Sequence, residues 1–241
     1  MKRIDIELNE LPYAVEEALN KLRINIKFSS VNTRKILMTS SFPNEGKSTV
    51  AVYLWKMMAE AGFPSVFVDG DMRKSVFRKR HAQDQLVDAP GLTYYLSGLA
   101  SYDDIVYETN IDNGYIVPVT NLLENPSHLL EDPKMDELLD RLSKDYRYVI
   151  IDSPPLQNVS DGSLMASKCD GAILVIRCGE TPRREIRNSL QQINRSGCPL
   201  IGTILNRAET RSGGYYYKYY SRYYSKYGYY YNYYYGTNDQ K

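Results

Sequence analysis

The chain predicts an α/β fold, a mostly parallel sheet with helices on both faces. Three observations carry that expectation. Short continuous apolar runs alternate with helical segments, as strands buried on both faces require. A Ser- and Thr-rich loop containing Gly46-Lys47-Ser48 joins the first long run to a helix. Two further runs, Val66-Phe67-Val68 and Tyr148-Val149-Ile150-Ile151, each end on an aspartate, Asp69 and Asp152. In open parallel sheets ligands gather outside the carboxyl ends of the strands, so loop and aspartates are expected at one edge.

Residues 1–14 are mixed in character and are expected to be poorly ordered. Ala14 to Ile26 places Val15, Ala18, Leu19, Leu22 and Ile26 at helical spacing. Arg34 to Ser40 reads as the first core strand, and a helix over Val50–Ala61 ends at Gly62. Ser65 to Val68 is the next strand. Met72 to Asn113 reads as short helical pieces broken by glycines, and Tyr115 to Val119 as a short strand. Asn125-Pro126-Ser127 opens a short helix over His128–Leu130, and Asp132-Pro133 caps a second with Met135, Leu138, Leu139 and Leu142 on one face. Gly171 to Ile176 and Leu200 to Leu205 complete the strands, with a helix over Arg184–Arg195 between them.

At 241 residues the chain can bury one sizeable core. At a net charge of +1 no global field argues for nucleic acid or for an anionic membrane surface, and no nucleic-acid partner is expected. Cys169, Cys178 and Cys198 have neither metal-ligand nor disulfide-framework spacing; with no signal peptide visible they read as reduced thiols of a cytoplasmic protein. No apolar stretch approaches the ~20 residues that span a bilayer, so membrane association is expected only through a partner.

The loop Ser41-Phe42-Pro43-Asn44-Glu45-Gly46-Lys47-Ser48-Thr49, between strand and helix, reads as a P-loop, which cradles a phosphate chain on backbone N–H groups. The fold is thereby P-loop NTPase-type. Lys47 would reach the β- and γ-phosphates, and Ser48 would ligate Mg²⁺. Ser41 stands at the first glycine position, and Asn44 where related loops often carry a second glycine. Asp69 and Asp71 form a pair after one strand, and Asp152 follows another as a Walker B candidate. Three aspartates and Ser48 can meet the needs of a Mg²⁺ site and of a group that orients or deprotonates a nucleophile. Asn206, ending a further strand, is either a turn residue or a hydrogen-bonding partner for an adenine edge. His81 and His128 read as surface or cap residues.

Of the 23 tyrosines, 14 fall in the C-terminal stretch: Tyr215, Tyr216, Tyr217, Tyr219, Tyr220, Tyr223, Tyr224, Tyr227, Tyr229, Tyr230, Tyr231, Tyr233, Tyr234 and Tyr235. They follow Gly213-Gly214 in adjacent clusters with no helical or two-residue period, interleaved with Lys218, Arg222 and Lys226. Residues 213–241 are therefore expected to be a disordered low-complexity tail, separate from a folded domain over 1–212. Stacking on single-stranded nucleic acid, loose self-association and phosphorylation all suit such a tail. A phosphate-binding loop in the same chain favours phosphorylation.

The loop, the Val66–Arg73 stretch, the Val149–Pro155 stretch and the tyrosine tail together resemble the bacterial tyrosine autokinases of capsular or exopolysaccharide synthesis. Residues 41–49 match that family's Walker A, 66–73 its Walker A′ and 149–155 its Walker B. The resemblance implies transfer of the γ-phosphate of ATP, with Mg²⁺, to tail tyrosines of a neighbouring copy. It implies that Lys47 and Ser48 hold phosphate and metal, that Asp71 and Asp152 help hold the metal, and that Asp69 is the base for the incoming hydroxyl. It further implies a homo-oligomer, in some members a ring assembled through E-x-x-R-x-x-R on the helix over 14–26. Here that stretch retains Glu17 and Arg23 but has Asn20 at the first arginine, which removes a bidentate contact. A separate transmembrane adaptor of the polysaccharide co-polymerase type is implied as activator, placing the kinase at the inner face of the cell membrane.

Two other classes share parts of this pattern. A partition- or cell-division-type switch ATPase has the fold, but its loop carries a signature lysine where Phe42 stands. A catalytically idle nucleotide-binding scaffold with an adhesive tail is the other.

Overall fold

A computed structural model of the chain describes residues 2–29, 32–157 and 160–208. The apolar runs assemble into one eight-stranded sheet: β1 (Lys2–Ile4), β2 (Lys35–Ser40), β3 (Ser65–Asp69), β4 (Tyr107–Thr109), β5 (Gly114–Val117), β6 (Tyr148–Asp152), β7 (Gly171–Arg177) and β8 (Leu200–Asn206). Their spatial order is β1-β4-β5-β3-β6-β2-β7-β8. Every neighbouring pair is parallel except β4–β5. Each central strand is continuously apolar because both faces are covered. Leu37, Val66, Val68 and Val149 face one core, and Ile36, Met38, Phe67 and Ile150 the other.

The second core is closed by α1 (Tyr13–Ser29) and α2 (Lys47–Glu60), which contribute Leu19, Ile26, Leu54, Trp55 and Met58. The first is closed by α6 (Pro133–Asp145) and α8 (Arg183–Arg195), with the shorter α3 (Leu92–Leu96), α4 (Tyr102–Ile105), α5 (Ser127–Glu131) and α7 (Asp161–Ala166). Pro133 opens α6, and the Asp132 carboxylate accepts the Lys134 N–H at 2.9 Å, the cap its sequence predicts.

The N-terminal segment corrects the expectation of poor order. Residues 2–4 form β1 on β4, Ile4 and Ile6 are buried, and α1 begins at Tyr13. Beyond β1 the backbone is paired by side chains. Asn110 accepts the Ile6 N–H at 2.7 Å and returns an amide N–H to its carbonyl at 3.2 Å; Gln85 does the same for Asp5 at 2.8 and 3.0 Å. The His81 carbonyl accepts the Glu7 N–H, and His81 Nδ1 donates to the Glu7 carbonyl at 3.0 Å. β4 and α7 also lay outside the sequence expectation, being only three and six residues long. The chain divides into two units, 1–206 and 207–241. Of the second only 207 and 208 are described, and the expected tail over 213–241 with its tyrosines lies outside the described residues.

Candidate active site

Three elements bring the site together. The loop after β2 feeds α2, whose N-cap is Gly46 at φ 93°. A Cβ there would stand 2.0 Å from Asn206 Nδ2, so only glycine fits this left-handed turn. Asn44 also lies in the left-handed region, at φ 67°, a conformation asparagine tolerates better than most residues. The loop thus turns as a glycine-rich one does, with Asn44 in a glycine's conformation.

β3 and β6 are adjacent and in register, with Asp69 opposite Asp152. Between them Gly70 donates its N–H to the Asp152 carbonyl at 2.7 Å, and a Cβ on Gly70 would lie 2.8 Å from that oxygen. The glycine in Asp-Gly-Asp is therefore a close-approach residue that lets the Asp71 carboxylate join the other two. Lys47 reaches across from α2: its Nζ lies 3.2 Å from Asp152 Oδ1, 3.1 Å from Ser48 Oγ and 3.7 Å from Asp71 Oδ2. All four charged groups are buried.

Burial is the main electrostatic fact. It pushes the Asp69 carboxyl up to about 8, opposed by a hydrogen bond from Ser75 Oγ and reinforced by the charges of Asp152 and Asp71. Burial also raises Asp152, against the pull of Lys47. For Lys47, burial works downward, but Asp152 and Asp71 outweigh it and hold the ammonium above the ordinary lysine value. Three acidic side chains thus gather around the Lys47 ammonium.

The donor set fits a magnesium ion. Among the described residues no group of three or more His, Cys, Asp or Glu forms a self-sufficient metal cage. Asp71, Asp152 and the Ser48 hydroxyl instead offer the partial shell that Mg²⁺ accepts when phosphates and water supply the rest.

The other expected contacts fall differently. Asn206 donates Nδ2 to the Glu45 carbonyl at 2.8 Å, so its amide braces the loop. The Glu45 side chain is turned into the protein, where it accepts the Phe42 N–H at 2.8 Å and the Thr181 hydroxyl. Pro43 and Thr49 lie in the loop and the first turn of α2. Glu17 and Arg23 sit on α1. Sequence reasoning missed Ser75, the partner of Asp69, and Asp161. Asp161 is fully buried and binds Arg73 Nε at 2.5 Å and Ser127 Oγ at 2.7 Å, anchoring the carboxylate loop to α5 and α7. Arg73, ending Val66–Arg73, was the available signal: a half-buried arginine needs an acidic partner.

Residues 34–196 match the AAA domain family. The chain is 34% identical over 217 residues to the tyrosine-protein kinase CpsD of Streptococcus agalactiae, covering 89% of this chain and 94% of that protein. The kinase domain of the Escherichia coli tyrosine kinase ETK superposes with a TM-score of 0.73 at 25% identity, over 87% of each chain. The septum site-determining protein MinD of Pyrococcus horikoshii, complexed with Mg-ADP, superposes with a TM-score of 0.60 at 25% identity, over 75% of this chain and 72% of that one. The phosphate loop, the in-register aspartates and these likenesses lead to one conclusion: the chain belongs to the bacterial tyrosine-protein kinases of the AAA domain family.

Proposed function

We propose that the protein is an autokinase that transfers the γ-phosphate of ATP to the tyrosines over 215–235 of a neighbouring copy, in the control of capsular or exopolysaccharide synthesis. The observation that carries the reading is the Lys47–Asp152–Asp71 cluster beside buried Asp69, set at the mouth of a phosphate loop. In this reading Lys47 and the loop N–H groups hold the β- and γ-phosphates, and Ser48, Asp71 and Asp152 hold Mg²⁺. The metal supplies the positive charge that neutralises the phosphates. Asp69 accepts the tyrosine proton as the phenolic oxygen bonds to the γ-phosphorus and the bond to the ADP oxygen breaks. Such transfer is mostly positioning and charge neutralisation, which a buried preformed cluster favours.

The tyrosine-rich stretch supplies the substrate and the name of CpsD supports the kinase assignment. Among the described residues no helix is long and apolar enough to cross a membrane. On the resemblance to the kinases of polysaccharide synthesis we assign activation and localisation at the inner membrane face to a separate transmembrane adaptor, and on the net charge of +1 we place no nucleic acid among the partners.

Phosphotyrosine on the purified protein with Mg·ATP tests the reading, with and without cytoplasmic segments of candidate adaptors. Labelling of 215–235 is expected, and Lys47→Met should reduce it at least 100-fold, the order that loss of a charge-stabilising group brings. Labelling that survives Lys47→Met would overturn the site. The likeness to MinD supports a second reading, a switch ATPase. ATP hydrolysis without labelling under any condition would favour it.

A further inference from the structure

The phosphate loop has serine and asparagine at two glycine positions, and its shape is held from outside the loop. The Ser41 hydroxyl, fully buried, accepts a hydrogen bond from Ser189 Oγ of α8 at 2.8 Å, and its carbonyl accepts the Gln157 N–H at 3.2 Å. Glu45 is 3% exposed and gathers contacts from three places. One carboxylate oxygen takes the Phe42 N–H across the loop; the other takes the Thr181 hydroxyl and the Arg177 N–H at the end of β7. Its carbonyl takes Asn206 at the end of β8.

A carboxylate is an unexpected side chain in a loop whose purpose is to aim N–H groups at an anion. Tied inward it does two things. It fixes the bend between Phe42 and Gly46, and it keeps its own negative charge turned away from the phosphates. Thr181 is the side-chain donor that completes this tie, from a position 136 residues along the chain.

We propose that Thr181 and Glu45 form a clasp that presets the phosphate loop, so that Thr181 is a positioning residue for nucleotide binding. The inference rests on the nucleotide reading of the site. Without the Thr181 hydroxyl the Glu45 carboxylate keeps only the Phe42 and Arg177 N–H groups, so its hold away from the polyphosphate weakens and the loop loses order at the same time. Both effects weaken binding before they touch the transfer step.

The test uses the full chain, with equilibrium binding of a fluorescent ATP analogue in Mg²⁺ measured beside tail labelling. Thr181→Val should weaken analogue binding about tenfold, the scale of one lost hydrogen bond to a charged group, and raise KM for ATP more than it lowers kcat. Thr181→Ser, which keeps the hydroxyl, should restore both. Thr181→Ala, which introduces no new branched methyl, guards against a misfolded valine variant, and melting temperatures of all three accompany the binding data. Unchanged affinity in Thr181→Val and Thr181→Ala, or failure of Thr181→Ser to restore it, overturns the clasp while leaving the site reading intact. Failure of the unmodified chain to bind the analogue overturns both.

Discussion

Asp69 is a carboxylic acid made unusual by its position rather than by its neighbours in sequence. Buried at the end of β3, with Asp152 opposite and Asp71 two residues on, it is pushed to about 8, whereas an unfolded aspartate titrates near 3.8. Its folded pKa lies above its unfolded one. The stability that the protonated form contributes is therefore complete below about 3.8 and is lost as pH climbs through about 8. Asp69→Asn, neutral at every pH and still able to accept from Ser75, should raise the melting temperature of the nucleotide-free protein at pH 9. The gain should be ~2–4 °C for each kcal/mol recovered, shrinking toward pH 5. The same substitution removes the proposed base and should abolish tail labelling. A variant no more stable than the parent at pH 9 would show that Asp69 is not held at an elevated pKa.

At the scale of elements, the edge of the sheet beside β4 shows how little regular structure a segment needs to be ordered. Residues 5–7 are held by Gln85, Asn110 and His81, whose polar groups stand in for a partner strand. Asn110→Ala would leave an N–H and a carbonyl of Ile6 unpaired beside a buried side chain. It should cost about 1–3 kcal/mol, read as a lower urea midpoint with an unchanged slope. No change in midpoint would mean that water replaces the asparagine without loss. The Arg73–Asp161–Ser127 cluster works similarly beyond the carboxyl end of the central strand β3, linking the carboxylate loop to two short helices. These attachments were not legible in the sequence because each joins residues 34 to 104 positions apart.

For the whole molecule, folded unit and tail have separate expected roles, a split that deletion can test. Removing 213–241 should abolish self-labelling yet leave ATP-analogue affinity and melting temperature unchanged. Loss of nucleotide binding in that deletion would make the tail part of the fold. If tail phosphorylation occurs, it adds about −1.5 to −2 charge per tyrosine, and crowding of such charges is expected to disperse an oligomer. Sedimentation before and after incubation with ATP checks the direction, and a larger particle after phosphorylation would reverse it.

Sequence by itself determined six of the eight strands and which polar residues stand at the ends of the central ones. Runs such as Val66–Val68 and Tyr148–Ile151 are apolar throughout because both faces are buried, and that local pattern carries the parallel sheet. Asp69, Asp71 and Asp152 follow those runs directly and Gly46-Lys47-Ser48 follows the loop after the parallel strand β2, so strand direction alone brings them to one edge. Only the tertiary structure decided what the neighbouring polar residues do. Glu45 and Asn206 have the side chains of ligand contacts, yet one is turned inward to Thr181 and the other donates to the loop backbone. The difference has a physical reason. Periodicity reports which face of an element is dry, whereas the partner of a buried polar atom depends on what another part of the chain brings within 3 Å of it.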